Sequence, residues 1–344
     1  MSSDEAQSAG SPAETLDQLL SGFQATQAIH VAARLALFDV LRDGSKTAHE
    51  LASAVGAHEP SLRRLLGFLT TVGALVRDAD GRYAATAMGD LLRADHPSSE
   101  RPWALLLGDA CIWQPWGNLY EAVMSGQPAF EHVYGEPYFM YLGHHPQEAA
   151  TFNAAMTSDD TSLSAILDAY DFSGFETIVD IGGGHGALMR NILERAPKAN
   201  GILFDLPSVV AEADQLDDPA MAGRCQRIGG DMFQAVPTGG DAVILKRIVH
   251  DWSDAEAIQI LRNCRQAMSD HGKILLVESI RQADGQADPS TKTDLMMLVL
   301  VSGRERTEDE FRALYAASGF TLSRVVSAGR YSVIEGVCSP RADD

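Results

Sequence analysis

Thr177-Ile-Val-Asp-Ile-Gly-Gly-Gly-His-Gly-Ala-Leu188 is the stretch on which the fold of this chain turns. Thr177 to Ile181 is a β-branched run and reads as a buried strand. Three glycines come next, then His185, Gly186 and a helical pattern from Ala187 to Ala196. Strand, glycine turn and helix in that order make a nucleotide cradle. Glycines admit positive φ and close backbone approach. The helix N-terminus behind them offers unpaired N–H groups to an electronegative group. Two spacings coexist here. Gly182, Gly184 and Ala187 fit the dinucleotide pattern G-x-G-x-x-G/A. Gly182, Gly184 and Gly186 fit a tighter G-x-G-x-G, which suits a carboxylate and a ribose rather than a pyrophosphate. The turn alone leaves both open, together with a plain tight connection.

The strands downstream of the turn narrow the choice. Asn200-Gly-Ile-Leu-Phe-Asp205 is a strand that ends in a carboxylate and is stopped by Leu206-Pro207. Asp205 lies about twenty residues beyond the turn, where an acidic residue reaches a ribose diol. Cys225 to Gly229 is a third strand, with Gly230-Asp-Met-Phe233 after it; Asp241 to His250 contains a fourth. A helix from Ala255 to Met268 and a strand from Lys273 to Ser279 complete a β/α series. Such alternation implies a parallel sheet with ligands at the carboxyl ends of its strands. Asp205, Asp231, Lys246 and Glu278 should lie along that edge. The chain then closes differently. Phe320 to Val326 and Tyr331 to Val337 are two strand-like runs joined by a four-residue connection, so they are antiparallel neighbours. A dinucleotide sheet continues with crossover helices. A terminal hairpin is the arrangement of S-adenosylmethionine methyltransferases.

Upstream, Ser11-Pro-Ala-Glu14 is a capping box with proline at the first helical position. A helix is expected from there to about Leu41. Its apolar positions are wider than one stripe, which suits burial on more than one side, against its own chain or a second subunit. Thr47-Ala-His-Glu50 opens a short helix and Glu59-Pro another. Ala74 to Ala84 reads as two strands around Asp80-Gly81. Helix, turn, helix, hairpin is a winged-helix pattern. Its second helix offers only Arg63 and Arg64 against Glu59, too little charge for a groove reader, so a scaffold ranks above DNA binding. Trp103 to Tyr141 is dense in aromatics that could line a pocket or simply fill a core. Gln147 to Tyr170 reads as helical.

The composition agrees with an ordinary globular chain of 344 residues, 45% hydrophobic, with a formal net charge of −20. Such acidity argues against nucleic-acid phosphate and anionic membrane partners. The four cysteines are scattered, which suggests a reducing, cytoplasmic setting and no structural zinc. Met1 to Gly10 is small, polar and acidic, and reads as a disordered start.

The reacting centre is read from Leu245-Lys-Arg-Ile-Val-His-Asp-Trp-Ser-Asp-Ala-Glu256. Ser253 and Glu256 form a capping box, so a helix starts just after Trp252. His250 therefore sits in a strand-to-helix loop on the ligand edge. Two distant carboxylates, Glu278 at a strand end and Glu305 before the Thr307 cap, can be brought beside it. A neutral phenol or enol is a poor nucleophile, its pKa about 10. A neutral imidazole can take its proton, and a carboxylate on the other ring nitrogen fixes the tautomer. Glu278 or Glu305 would supply that carboxylate.

With these residues in place, the chain resembles the small-molecule O-methyltransferases typified by caffeic acid O-methyltransferase. The bacterial antibiotic-tailoring branch, with anthracycline and phenazine methyltransferases, is the more similar. The resemblance runs from about Leu16 to Val337. It rests on Val-Asp-Ile-Gly-Gly-Gly-His-Gly, Phe-Asp-Leu-Pro, Gly-Gly-Asp-Met-Phe, Leu-Lys-Arg-Ile-Val-His-Asp-Trp and Gly-Arg-Glu-Arg-Thr. It implies a Rossmann-like α/β methyltransferase domain, a parallel sheet with a terminal antiparallel hairpin, behind a mostly helical winged-helix dimerisation domain. The expected boundaries are 1–10 for the start, 11–98 for dimerisation, 99–170 for a helical connector with the pocket, and 171–344 for catalysis.

The resemblance also implies roles for single residues. Gly182 lies under the methionine part of S-adenosylmethionine, with Gly184 beside it. Asp205 holds the ribose hydroxyls, next to Leu206. Asp231, Met232 and Phe233 meet the adenine. Lys246 contacts the cofactor, and Arg247 is a second candidate. His250 matches the base, flanked by Glu278 and Glu305. Met156 matches a residue packed on the acceptor, and Trp113, Phe152 and Asp251 join it as acceptor candidates. The expected product is S-adenosylhomocysteine; no metal is expected. The expected assembly is a homodimer, with no nucleic acid or membrane partner. The function expected is methylation of a phenolic or enolic hydroxyl on a small aromatic natural product. The alternatives are a relative performing hydroxylation or decarboxylation on the same fold, a winged-helix ligand sensor, and NAD-linked redox chemistry.

Overall fold

Local signals in the sequence account for most of the elements seen. In the computed structural model the described residues are 11–158, 160–282 and 288–340; the start to Gly10, expected to be disordered, lies outside them. The chain divides into two units, Met1–Trp113 and Gln114–Asp344.

In the first unit, Ser11 caps the helix Pro12–Arg34 through a complete capping box. That helix does not run on to Leu41. Ala36 takes a left-handed backbone, φ 51°, and a separate turn of helix spans Leu37–Val40. A left-handed alanine costs about 1–2 kcal/mol. Here it rotates Leu37 and Phe38 into the core, where they are 0% and 1% exposed. Helices Ala48–Val55 and Glu59–Thr71 and the antiparallel strands β1 (Leu75–Arg77) and β2 (Tyr83–Ala85) come next, as expected. Lys46 pairs with Tyr83 and broadens the wing. Helix Arg101–Gly108 packs back on the first helix. Gln27 donates to Gly108 O at 3.1 Å, and a Cβ on Gly108 would stand 2.3 Å from the His30 side chain. Leu16, Leu19, Leu20 and Phe23 are 55–74% exposed on this single chain, so the wide apolar face is not covered by the chain itself.

The second unit carries a seven-stranded sheet. Its strands are β3 (Thr177–Ile181), β4 (Asn200–Asp205), β5 (Cys225–Gly229), β6 (Ala242–Lys246), β7 (Lys273–Glu278), β8 (Phe320–Ala328) and β9 (Tyr331–Cys338), in the order β5-β4-β3-β6-β7-β9-β8. β3 to β7 are parallel; β9 runs antiparallel to β7, and β8 to β9. The strand order reverses beside β3, which opens a crevice at the carboxyl ends of β3 and its neighbours. Both faces are covered. Helices Asp160–Ala169 and Ala187–Arg195 pack on one side, Asp254–Ala267 and Glu308–Ala317 on the other. Capping boxes at Ser253 and Thr307 start the last two.

One further expectation needs correction. The helical run 147–170 is two helices, Pro146–Thr157 and Asp160–Ala169. The aromatic stretch is folded into short helices, among them Leu119–Ser125, Ala129–Tyr134 and Tyr138–His144. Helix Thr291–Leu300 was not foreseen. Its polar residues, Thr291 to Asp294, all come first and its apolar ones follow, so it has little periodicity to read. No helix among the described residues is long and apolar enough to cross a membrane.

Candidate active site

The glycine turn takes the backbone that only glycine adopts without strain. Gly182, Gly184 and Gly186 have φ of 68°, 58° and 85°. A Cβ on Gly182 would stand 2.4 Å from Ile248 Cδ1, whereas one on Gly184 would meet open space. The turn is therefore packed beneath and clear above. Asp205 ends β4 and reaches across to it. Its Oδ2 accepts the Gly184 N–H at 2.9 Å and its Oδ1 the Leu206 N–H at 2.7 Å. Burial raises the Asp205 carboxyl above its usual range, against those two bonds.

Beneath the turn lies a group that sequence reasoning missed. Asp180 sits within β3, is 0% exposed, and neither carboxylate oxygen has a hydrogen-bond partner. A Cβ on Gly183 would fall 2.6 Å from Asp180 Oδ2. Burial pushes this carboxyl up to about 7, with Lys246 pulling it down and Asp205 raising it. A buried carboxylate without partners costs several kcal/mol unless it is neutral or gains a cation. A charged residue inside an otherwise apolar strand was the available signal. The orphaned Asp180, the clear cradle above Gly184 and Asp205 at its rim fit a ligand with an ammonium group and a ribose, as S-adenosylmethionine has.

The remaining cofactor candidates line the sheet edge. Asp231 lies just beyond β5 and accepts from Phe233 N–H at 2.9 Å and Gln234 Nε2 at 3.1 Å. Met232 O and Phe233 O are held by Asn263 and Gln259. Lys246 ends β6. Arg247 has φ 54°, and its guanidinium donates to Tyr331 Oη at 2.9 Å. Both Lys246 and Arg247 therefore stand near the Tyr331 ring.

His250 lies in the single-turn helix Val249–Asp251 and is 2% exposed. Its two carboxylates divide the work. Glu305 Oε1 is 3.0 Å from His250 Nδ1. Glu278, at the end of β7, instead accepts backbone N–H groups from Ile248 at 3.1 Å, Val249 at 2.9 Å and His250 at 3.4 Å. Glu305 is thus the ring partner, and Glu278 holds the loop. Asp251 Oδ1 lies 3.4 Å from Nε2. Burial lowers the His250 pKa, but Asp251, Glu278 and the Glu305 bond more than offset it, and the net direction is upward from 6.5. Burial likewise pushes Glu278 up to about 7 and raises Asp251.

The loop before helix Glu308–Ala317 locks this geometry. Arg306 is 0% exposed and donates to Val249 O and Trp252 O, each at 2.8 Å, and to Asp254 Oδ1. A Cβ on Gly303 would fall 1.9 Å from His250 O. Asp294 accepts the Glu305 N–H at 2.9 Å. Arg306 and Asp294 were missed because each reads locally as an ordinary helix-start charge.

Aromatic rings form a chain from Phe233 to Phe152. Phe233 meets Trp252 edge-on at 4.7 Å, Trp252 meets Phe139 at 5.5 Å, and Phe139 meets Phe152 at 6.0 Å. Phe152 and Met156 share the helix Pro146–Thr157 and are half-buried. Trp113 ends the first unit and is not among this group.

Comparison with known proteins gives the same reading. Residues 116–321 match the O-methyltransferase domain family, and residues 17–95 the O-methyltransferase dimerisation domain. The phenazine O-methyltransferase PhzM of Lysobacter antibioticus is 41% identical over 321 residues, 92% of this chain and 94% of the relative. The crystal structure of LaPhzM superposes with a TM-score of 0.91 at 40% identity, covering 95% of this chain and 99% of that one. NcsB1, an O-methyltransferase from neocarzinostatin biosynthesis, was solved with S-adenosylmethionine and 2-hydroxy-5-methyl naphthoic acid. It superposes at 0.83 with 31% identity, covering 97% and 100% of the two chains. The dinucleotide reading of Gly182, Gly184 and Ala187 is thereby set aside. The chain belongs to the S-adenosylmethionine-dependent small-molecule O-methyltransferases, in the bacterial antibiotic- and phenazine-tailoring branch.

Proposed function

We propose that this enzyme methylates a phenolic or enolic hydroxyl on a small aromatic natural product, with His250 as general base. The observation that carries the reading is the His250 Nδ1 to Glu305 contact at 3.0 Å in a buried loop on the sheet's ligand edge. Asp180, Gly182, Gly184, Asp205, Leu206 and Asp231 to Phe233 hold the cofactor; Asp180 meets its ammonium and Asp205 its ribose hydroxyls. Lys246 balances Asp180. When bound, the cofactor supplies an electrophilic methyl group on a sulfonium.

The chain's own residues do the rest. Glu305 accepts the Nδ1–H and leaves the lone pair on Nε2. Nε2 takes the acceptor's hydroxyl proton as its oxygen becomes nucleophilic. Glu305 then stabilises the imidazolium. Glu278 and Arg306 act through the loop as positioning residues. Asp251 keeps negative charge near Nε2. The ring ladder of Phe233, Trp252, Phe139 and Phe152 supports a planar acceptor. Met156 lies on the same helix as Phe152.

Residues 11–98 serve dimerisation, 99–170 the connector and 171–344 catalysis. The exposed Leu16, Leu19, Leu20 and Phe23 support a homodimer seam in the first unit. Arg63 is paired with Glu59, which favours a scaffold over a duplex reader for the winged helix. The free cysteines suit a cytoplasmic enzyme.

The test is label transfer from methyl-labelled cofactor to a panel of hydroxylated phenazines, quinones and naphthoates. His250→Ala should lose about 10²–10⁴-fold in turnover while calorimetry still shows cofactor binding. Near-normal turnover in that variant would remove His250 from the mechanism.

A further inference from the structure

Behind the base, three ligand-bearing side chains converge. A ring nitrogen of His250 and a carboxylate oxygen from each of Glu278 and Glu305 lie within 4.8 Å of one another. All three residues are at most 2% exposed. Glu278 Oε2 and Glu305 Oε2 are buried and have no hydrogen-bond partner. Asp251 adds a third carboxylate on the Nε2 side, and Arg247 is the cation acting on His250 from nearby. These side chains are almost wholly shielded, Arg306 is engaged by Val249 O, Trp252 O and Asp254, and two carboxylate oxygens have open lone pairs.

We propose that His250, Glu278 and Glu305 form a reversible inhibitory site for one divalent transition-metal ion of the Zn²⁺ or Co²⁺ type. One imidazole and two carboxylates are three donors of the kinds Zn²⁺ binds, which leaves a fourth position open. Metal–ligand bonds of about 2.0–2.2 Å place neighbouring ligand atoms of a tetrahedral ion roughly 3.3 Å apart. His250 Nδ1 and Glu305 Oε1 already stand 3.0 Å apart, so the pair opens only slightly to admit the ion. A cavity of about 540 Å³ supplies the entry path. Asp294, Leu298, Ser302, Arg304 and Glu305 line it, on the side of helix Thr291–Leu300.

Inhibition stems from the tautomer. Without the ion, the single proton of the neutral ring is on Nδ1, bonded to Glu305, and Nε2 is free to accept another. A bond from Nδ1 to the ion moves that proton to Nε2. The ring stays neutral, any proton on Glu278 leaves to solvent, and Nε2 can no longer act as a base. The loss of turnover rests on His250 being the base; occupancy of the site does not.

The test uses chelator-stripped full-length enzyme titrated with Co²⁺ and with Zn²⁺, monitored by calorimetry, visible absorption and turnover. One ion should bind per chain, with Co²⁺ showing the visible d–d bands of a tetrahedral ion and no near-ultraviolet thiolate band. Glu278→Gln and Glu305→Gln should each weaken binding by at least about tenfold. Turnover should fall with the same midpoint and return on adding chelator. No stoichiometric ion, a thiolate band, or undiminished affinity in both variants would overturn the site. One ion bound through these residues with turnover unchanged would overturn the inhibition and place the fault in His250 as base.

Discussion

Glu278 on β7 and Glu335 on β9 are buried glutamates on adjacent strands, 0% and 2% exposed, and the fold treats them in opposite ways. Glu335 is fully partnered. Tyr170 Oη donates to it at 2.6 Å, Ser323 Oγ at 3.0 Å, Arg324 Nε at 3.1 Å and Lys273 Nζ at 3.2 Å. Burial alone would raise its carboxyl, but these partners hold it below the usual range. Glu278 receives only backbone N–H groups, on one oxygen, and burial pushes it up to about 7. A charge held by hydroxyls and cations is part of the scaffold. A carboxylate left half-satisfied is tolerated where its neighbours are proposed to do chemistry.

Substitutions at the two glutamates should separate them, most of all in turnover. Glu278→Gln should cost about a hundredfold by letting the His250 loop drift, whereas Glu335→Gln should leave turnover within about twofold. Steady-state rates on an accepted substrate decide this, and equal losses would erase the distinction. Stability should show the reverse. Glu335→Ala strands the Tyr170 hydroxyl and opens space, at about 2–3 kcal/mol. Glu278→Gln should stay within about 1 kcal/mol. Urea unfolding at neutral pH measures both.

The pH dependence has opposite signs as well. The lowered Glu335 contributes stability above the ordinary carboxylate pKa of about 4.3, and that contribution is lost as pH falls through the folded value. The raised Glu278 contributes below the same ordinary value and loses it as pH rises through about 7. Urea midpoints for each glutamine variant against wild type, from pH 4 to 8, should therefore diverge in opposite directions. A subtler change concerns Glu305. Its bond helps hold His250 above 6.5, so Glu305→Gln should move the acidic, rising limb of kcat/KM to lower pH. An unmoved limb would detach Glu305 from the titration. The smallest effect is Ser323→Ala, about 0.5–1 kcal/mol, since Glu335 keeps three other partners.

Much of the fold was legible because its signals are local. The four capping boxes, the positive-φ glycines and the alternation of strands and helices are written within a few residues of one another. They led directly to the sheet, the hairpin and the edge that carries Asp205, Asp231, His250 and Glu278. Propensity failed at Ala36, where an ordinary alanine is forced left-handed to turn Leu37 and Phe38 inward. It also failed at helix Thr291–Leu300, whose polar and apolar residues are separated along its length and so mark no face.

Sequence by itself determined the order of elements, the glycine cradle and the identity of the residues that could react, since these depend on backbone freedom, periodicity and side-chain chemistry. Only tertiary structure decided that Glu305 faces the imidazole while Glu278 holds the backbone, that Asp180 lies orphaned beneath the turn, and that Arg306 clamps the loop. Each of those depends on atoms brought together from strands and loops far apart in the chain, where burial, not spacing, sets what a charge does.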